Sequence, residues 1–177
     1  LSQFFLGLLT AYKKNQVLSL KTLAESIVNA ANSTRASLPN PVDGTLLTIY
    51  EEVGLNAMNN YESSKTLSDF LKKLSDQSIK SVKDTPNKLD ILREANVVDS
   101  GGLGFAMMMN AWFFSTLCND QKDIERKLNE VFLEMISGLS ESVSKDFYDD
   151  SQEIEWGNCT VFTVIGKDID IQEQREK

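Results

Sequence analysis

The chain has 177 residues, 41% of them apolar and 25% charged, with a formal net charge of -8, the balance of a globular domain large enough to bury a core. The acidic balance, with no clustering of Lys and Arg, excludes a nucleic-acid binder and a domain that docks on anionic membranes, both of which need a basic patch. There is no histidine, and Cys118 and Cys159 are the two cysteines; the commonest general base and metal ligand is missing, no disulfide framework is implied, and a reducing cytoplasmic setting is the simpler reading.

Leu1, Phe4, Phe5, Leu8, Leu9 and Tyr12 recur at helical spacing, so a first helix runs to about Lys14. Its apolar start lacks the basic flank and cleavage site of a signal peptide. The chain does not begin with Met, and a natural N-terminus is expected upstream. Leu20, Leu23, Ile27, Val28 and Ala31 define a second helix, with Ser19 as its N-cap. It ends before Pro39-Asn40-Pro41, because proline has no N–H and restricts its predecessor.

A third helix carries Leu46, Ile49, Tyr50, Val53 and Ala57. Thr66 and Asp69 make a capping-box-like start for a fourth, whose apolar face is Leu67, Phe70, Leu71, Leu74 and Val82. Thr85-Pro86, a hydroxyl cap and then proline, opens a short fifth helix to about Ala95, where Asn96 can turn left-handed. From Gly101 to Leu117 apolar residues cover every side, which predicts a central helix buried all round, the most buried element of the fold. The run is shorter than the ~20 residues of a membrane span and contains Asn110. Asp120 caps a seventh helix with a face of Ile124, Leu128, Val131, Phe132, Met135, Ile136 and Leu139, and Gly138 ends it.

After that the pattern changes. Cys159 to Ile165 is short and β-branched and reads as a strand. A boundary near Asp149 is expected, with a helical domain over 1–148 and the first element of a second domain over 149–177. The polar end, Asp168 to Lys177, looks like a cut.

Two loops lead into helices with glycine, a hydroxyl and first-turn amides: Pro39 to Thr45, and Val97 to Gly102. Such ends suit an anion, because the first amides lack internal partners and the helix dipole is positive there. They also suit plain caps and turns. Neither loop is a Walker loop or a dinucleotide fingerprint. Cys118 and the three methionines Met107, Met108 and Met109 read as core.

Taken together the segments resemble a known family. Pro41-Val42-Asp43-Gly44-Thr45-Leu46-Leu47-Thr48 resembles the Pro-x-acidic-Gly-Thr-x-Leu-Thr segment of bacterial fatty acid kinase ATP-binding subunits. Those subunits carry a nucleotide-binding domain of the dihydroxyacetone-kinase L type. Ala95-Asn96-Val97-Val98-Asp99-Ser100-Gly101-Gly102-Leu103-Gly104 resembles the same family's Ala-x-Val-Val-Asp-Ser-Gly-Gly-x-Gly loop. Leu1-Ser2-Gln3 is similar to the residues directly after the family's Gly-Asn-Ser-Gly phosphate loop. Trp156 to Phe162 is similar to the Gly-x-Cys-Thr-x-Phe motif of its next domain, with Val161 where the family has glutamate.

The resemblance implies an all-α, up-and-down antiparallel helix barrel that binds ATP or ADP with magnesium at one mouth. It implies phosphorylation of a fatty acid held by a separate lipid-binding protein. Gly44, Thr45, Leu46, Asp99, Ser100, Gly101 and Gly102 would lie near the nucleotide. In that reading Thr45 and Ser100 donate to it, Gly101 and Gly102 let the backbone approach, and Asp99 caps its helix. The magnesium-binding aspartates would lie upstream of Leu1, so the segment alone should not be catalytically competent. The family's second domain can use a cysteine in a metal site; Cys159 reads instead as a plain strand residue. The alternatives are a dihydroxyacetone-type sugar kinase domain and a non-catalytic helical interaction domain. A homodimer is a further expectation.

Overall fold

Helices begin where capping side chains allow them to. In the computed structural model, which describes residues 1–15 and 19–137, the elements in chain order are α1 (Ser2–Asn15), α2 (Leu20–Ala36), α3 (Leu46–Asn60), α4 (Leu67–Lys83), α5 (Thr85–Lys88), α6 (Asp90–Glu94), α7 (Ser100–Ser115) and α8 (Gln121–Ile136). Ser19 and Thr22 form a reciprocal capping box on α2, with the Thr22 amide donating to Ser19 Oγ at 3.1 Å and the Ser19 amide donating to Thr22 Oγ1 at 2.8 Å. Thr45, Thr66, Asp99 and Asp120 cap α3, α4, α7 and α8 with side-chain acceptors, each satisfying an amide that has no partner within its helix. Asn96 takes φ 52°, the left-handed turn that stops the short helices before α7.

The described residues are all-α, with no strand among them. They fall within one unit, Leu1–Val143. Successive helices α1 to α4 lie side by side, and α4 then packs on α7, the up-and-down helical bundle that the sequence implies. The core is drawn from α1 to α4 and α7: Phe4, Ile27, Ile49, Tyr50, Val53, Phe70, Leu74, Val82, Phe105 and Met109 are buried. A polar bond crosses it. Ser75 on α4 donates to Asn110 Oδ1 on α7 at 2.7 Å, and the Asn110 amide group donates to the Ala106 carbonyl at 2.8 Å, so these buried polar atoms are paired.

Several expectations need correction. The helix from Ser100 is not buried all round. Only Gly102, Phe105, Ala106, Met109 and Asn110 are buried on it, while Leu103, Met107, Met108, Trp112, Phe113 and Phe114 are half-buried and Leu117 is 56% exposed. Hydrophobic side chains on every face do not bury a helix unless neighbours cover every face; α7 meets α4 closely and α8 lightly. On α8, Met135 alone of the expected face is buried, and Phe132 is exposed. On α1, Phe4 is buried, but Phe5 and Leu9 are exposed, as is Leu1 just ahead of it. The fifth helix is two: Leu89 adopts φ -132° and ψ 111° and divides α5 from α6. No described helix is long and apolar enough to cross a membrane. Gly138, Leu139, the boundary near Asp149, the strand Cys159 to Ile165 and the Trp156 to Phe162 motif lie outside the described residues.

Phe105→Ala removes a ring at the centre of this core and is expected to cost ~3–5 kcal/mol in urea unfolding. Leu117→Ala, at the exposed end of the same apolar run, should cost less than ~0.5 kcal/mol. Equal losses would place the stability of the bundle elsewhere.

Candidate functional site

The loop into α3 is fixed by its own hydrogen bonds. Gly44 is buried with φ 80°, and a Cβ there would stand 2.8 Å from Leu89 Cβ, so both the backbone angle and the space require glycine. Its amide donates to Thr48 Oγ1 at 2.9 Å. The Thr45 hydroxyl, expected to donate to a nucleotide, donates here to the Val42 carbonyl at 2.7 Å and accepts from the Leu47 amide at 3.4 Å. What this turn presents outward is therefore backbone, at the positive end of α3.

The loop into α7 is held from below. The Asp99 carboxylate accepts from the Gly102 amide at 2.5 Å, the cap that the sequence implies. The Asp99 amide donates to the Thr85 hydroxyl at 3.1 Å, and that hydroxyl donates to the Val82 carbonyl at 2.8 Å. Thr85 is thus not a helix cap but a buried strut between the end of α4 and the start of α7. Ser100 is exposed at the first position of α7. Gly101 is an ordinary helical residue: a Cβ there would find van der Waals contact, 3.4 Å from Asp99 Oδ2 and 3.4 Å from Leu46 Cδ2. Neither Gly101 nor Gly102 has a positive φ, Gly44 being the glycine with one among the described residues. The steric demand falls on Gly102, whose Cβ would stand 2.0 Å from Ile49 Cδ1, a methyl in the core, and 3.0 Å from Asp99 Oδ2.

The same geometry brings the two loops together. Leu46, the first residue of α3, lies against Gly101, the second residue of α7. Both helices therefore start at one end of the bundle, side by side. The amides of Leu46, Ser100 and Gly101 stand ahead of the first intrahelical bonds, where a helix has no acceptor of its own to offer.

Beside this junction is a cleft of about 440 Å³. Leu1, Leu38, Val42, Leu46 and Leu47 supply apolar walls, and Ser2, Gln3, Thr34, Ser37, Asn40 and Tyr50 supply neutral polar groups. No ionisable carboxylate, lysine or arginine side chain lines it. Thr45 and Leu46 border the cleft; Gly44, Asp99, Ser100, Gly101 and Gly102 do not. Tyr50 is 0% exposed, and its hydroxyl has no hydrogen-bond partner in the structure, a state that costs free energy unless something bonds it. Burial, and secondarily the charge of Asp99, push the Tyr50 pKa up to about 12. Sequence reasoning counts Tyr50 as one more core residue; an aromatic hydroxyl one turn inside a helix start is the signal that was there to read. Among the described residues no three His, Cys, Asp or Glu side chains gather to hold a metal.

The DAK2 domain family matches residues 1–114. This chain belongs to that family. DAK2 domains are associated with kinase activity. The chain is similar to uncharacterized proteins of Staphylococcus saprophyticus (28% identical over 167 residues, 93% of this chain and 29% of the relative), Staphylococcus epidermidis (27% over 183 residues, 99% and 31%) and Staphylococcus aureus (27% over 184 residues, 99% and 32%). It spans about a third of the length of these curated relatives.

The buried hydroxyl gives this DAK2 domain a distinct alkaline limit. An unfolded tyrosine loses its proton near pH 10, whereas Tyr50 holds its proton to about 12. Its contribution to stability is therefore full below pH ~10 and is lost as pH rises through 12, because only the unfolded state ionises in that window. Tyr50→Phe should unfold at higher pH than the parent, with a melting temperature at neutral pH equal or higher; the same alkaline midpoint for both would contradict the assignment. Separately, Gly44→Ala should destabilise by about 1–3 kcal/mol. Gly104→Ala, on an open helix face with nothing within 4 Å, should stabilise by about 0.5–1 kcal/mol in the same calorimetric scan.

Proposed function

We propose that this chain is the nucleotide-binding part of a kinase that transfers the γ-phosphate of ATP to a fatty acid presented by a separate lipid-binding protein, giving an acyl phosphate. The observation that carries the reading is the meeting of the α3 and α7 N-termini beside a neutral cleft. Two helix starts that share one end of a bundle offer aligned amides and two positive dipole ends to one polyanion. The cleft, which has apolar walls and neutral hydroxyls and amides, suits the uncharged base and ribose, and Leu1 to Gln3, similar to the residues after the family's phosphate loop, are part of its lining. Membership of the DAK2 family supports a kinase, and the Pro41 to Thr48 and Ala95 to Gly104 resemblances support the fatty acid branch of it.

In this reading the amides of Leu46, Ser100 and Gly101 face the phosphates. Asp99 acts through its cap, keeping the first turn of α7 in place, and Thr85 keeps Asp99 in place. Leu46 and Leu47 close on the base, and the Tyr50 hydroxyl gives it a hydrogen bond. In the transfer itself a carboxylate oxygen of the acyl chain attacks the γ-phosphorus and ADP departs. These residues bind and orient, the larger part of the catalysis of phosphoryl transfer. The described residues do not themselves fit a magnesium ion.

Leu46 gives a direct test. Leu46→Glu sets a carboxylate at the first position of α3, which favours the helix, but places it where the phosphates would sit. Calorimetric titration with ATP and magnesium should show saturable binding to the parent and at least about tenfold weaker binding to Leu46→Glu, with Leu46→Gln between them. A folded Leu46→Glu protein that binds ATP as the parent does would overturn the site. ADP formation that requires a fatty-acid-loaded carrier protein would support the substrate, and formation driven by dihydroxyacetone alone would replace it with a sugar.

A further inference from the structure

Besides the bonds that Thr45 and Thr48 make within the turn, one side chain from α2 reaches the loop that makes a wall of the cleft. Leu38, Asn40, Val42 and Thr45 all come from the connection between α2 and α3. No strand pairs with this connection among the described residues. Arg35, in the last turn of α2, reaches over it. Its Nη2 donates to Asp43 Oδ1 at 2.7 Å and to Glu51 Oε2 at 2.9 Å, and its Nε donates to Glu51 Oε1. The two ends of this bridge differ. Glu51 takes the guanidinium in the forked, two-bond geometry that fixes its plane, and Glu51 sits on α3, which cannot shift without the core. Asp43 holds one bond and its side chain is 77% exposed. Asp43 directly precedes Gly44, the residue with positive φ, so its position sets the turn that presents Thr45 and Leu46.

We propose that Arg35 is the positioning residue of the nucleotide cleft: anchored on Glu51, it pins Asp43 and so holds the loop wall and the start of α3 in their binding arrangement. The inference rests on the nucleotide reading for its ligand, but not for the clasp itself. Arg35 does not line the cleft and acts only through Asp43. Because the Asp43 end is exposed, salt weakens it, while the forked Glu51 end holds. The loop thus has a closed and an open state that ionic strength shifts. The guanidinium is held in its charged form well above its ordinary range, first by the bond to Glu51 and then by that to Asp43, so the clasp does not titrate away through arginine.

Hydrogen exchange on the ligand-free chain tests the clasp without any nucleotide. At about 0.01 M salt, where the screening length is about 30 Å, the amides from Gly44 to Thr48 should exchange about two- to fivefold faster in Asp43→Asn than in the parent. At about 1 M salt, with a screening length of about 3 Å, the two proteins should converge. Asp43→Glu, which keeps the charge, should restore slow exchange, and the melting temperatures should stay within a degree or so, since the pair is exposed. The second arm uses adenosine, an uncharged probe whose own contacts salt does not screen. Its affinity should fall about two- to fivefold in Asp43→Asn at low salt. Identical exchange in parent and Asp43→Asn at both salt levels would overturn the clasp. Faster exchange with unchanged adenosine affinity would show that the loop is held but positions nothing, and would overturn the role proposed for Arg35. A parent that binds neither adenosine nor ATP would defeat the nucleotide reading, while the exchange arm would still decide the clasp.

Discussion

Phe4, Tyr50 and Phe105 meet at the centre of the bundle, and the placement of the site depends on their contact. Phe4 stacks on Tyr50 with centroids 4.2 Å apart, and Phe105 stands edge-on to both, at 5.3 Å and 4.7 Å. All three are 0% exposed, and offset or edge-on ring pairs add to the stability that their burial gives. They belong to α1, α3 and α7, three helices that are not consecutive in the chain. Locking α3 to α7 at this depth leaves their first turns alongside each other, with Gly101 against Leu46. Gly102 permits the approach, since a side chain there would meet Ile49. One aromatic cluster therefore brings two loops that are distant in sequence to one end of the bundle.

The cluster carries a cost at its edge. Tyr50 contributes a ring to the core and a hydroxyl that nothing in the structure bonds. A phenylalanine would pack as well without that penalty. In the proposed reading, a ligand bound in the cleft beside the same residue supplies the missing partner. The rest of the site shows the opposite economy. The Thr45, Asp99 and Thr85 side chains are all engaged with backbone, so they shape the loops and leave recognition of an anion to amides. In the proposed reading the adjustable part of the site is the α2–α3 connection, which Arg35 clasps through Asp43.

What could be read from the sequence was whatever a short stretch decides by itself. Ser19, Thr45, Thr66, Asp99 and Asp120 announce helix starts because a cap is a contact within four residues, and Asn96 announces its left-handed turn for the same reason. The helices and the two candidate loops came from such signals and from helical spacing, and the bundle came from the family resemblance. Properties that depend on distant neighbours did not. The run from Leu103 to Leu117 reads as buried everywhere, but exposure is set by which helices arrive beside it, and α8 covers it thinly. Thr85 looks like a cap until Asp99 is seen to use it. Gly101 and Gly102 are indistinguishable in sequence; only the position of Ile49 tells which one must be glycine. Arg35 gave no signal at all, since its partners lie 8 and 16 residues away.

The central claim is that the starts of α3 and α7 form a single anion-binding site held together by the aromatic cluster. Nitrogen-15 NMR of the chain titrated with ATP and magnesium tests it most directly. The account predicts that the amides of Leu46, Ser100 and Gly101 shift together along one binding curve, with Tyr50 on the same curve. Shifts confined to one of the two helix starts, or separate curves for the two, would contradict it.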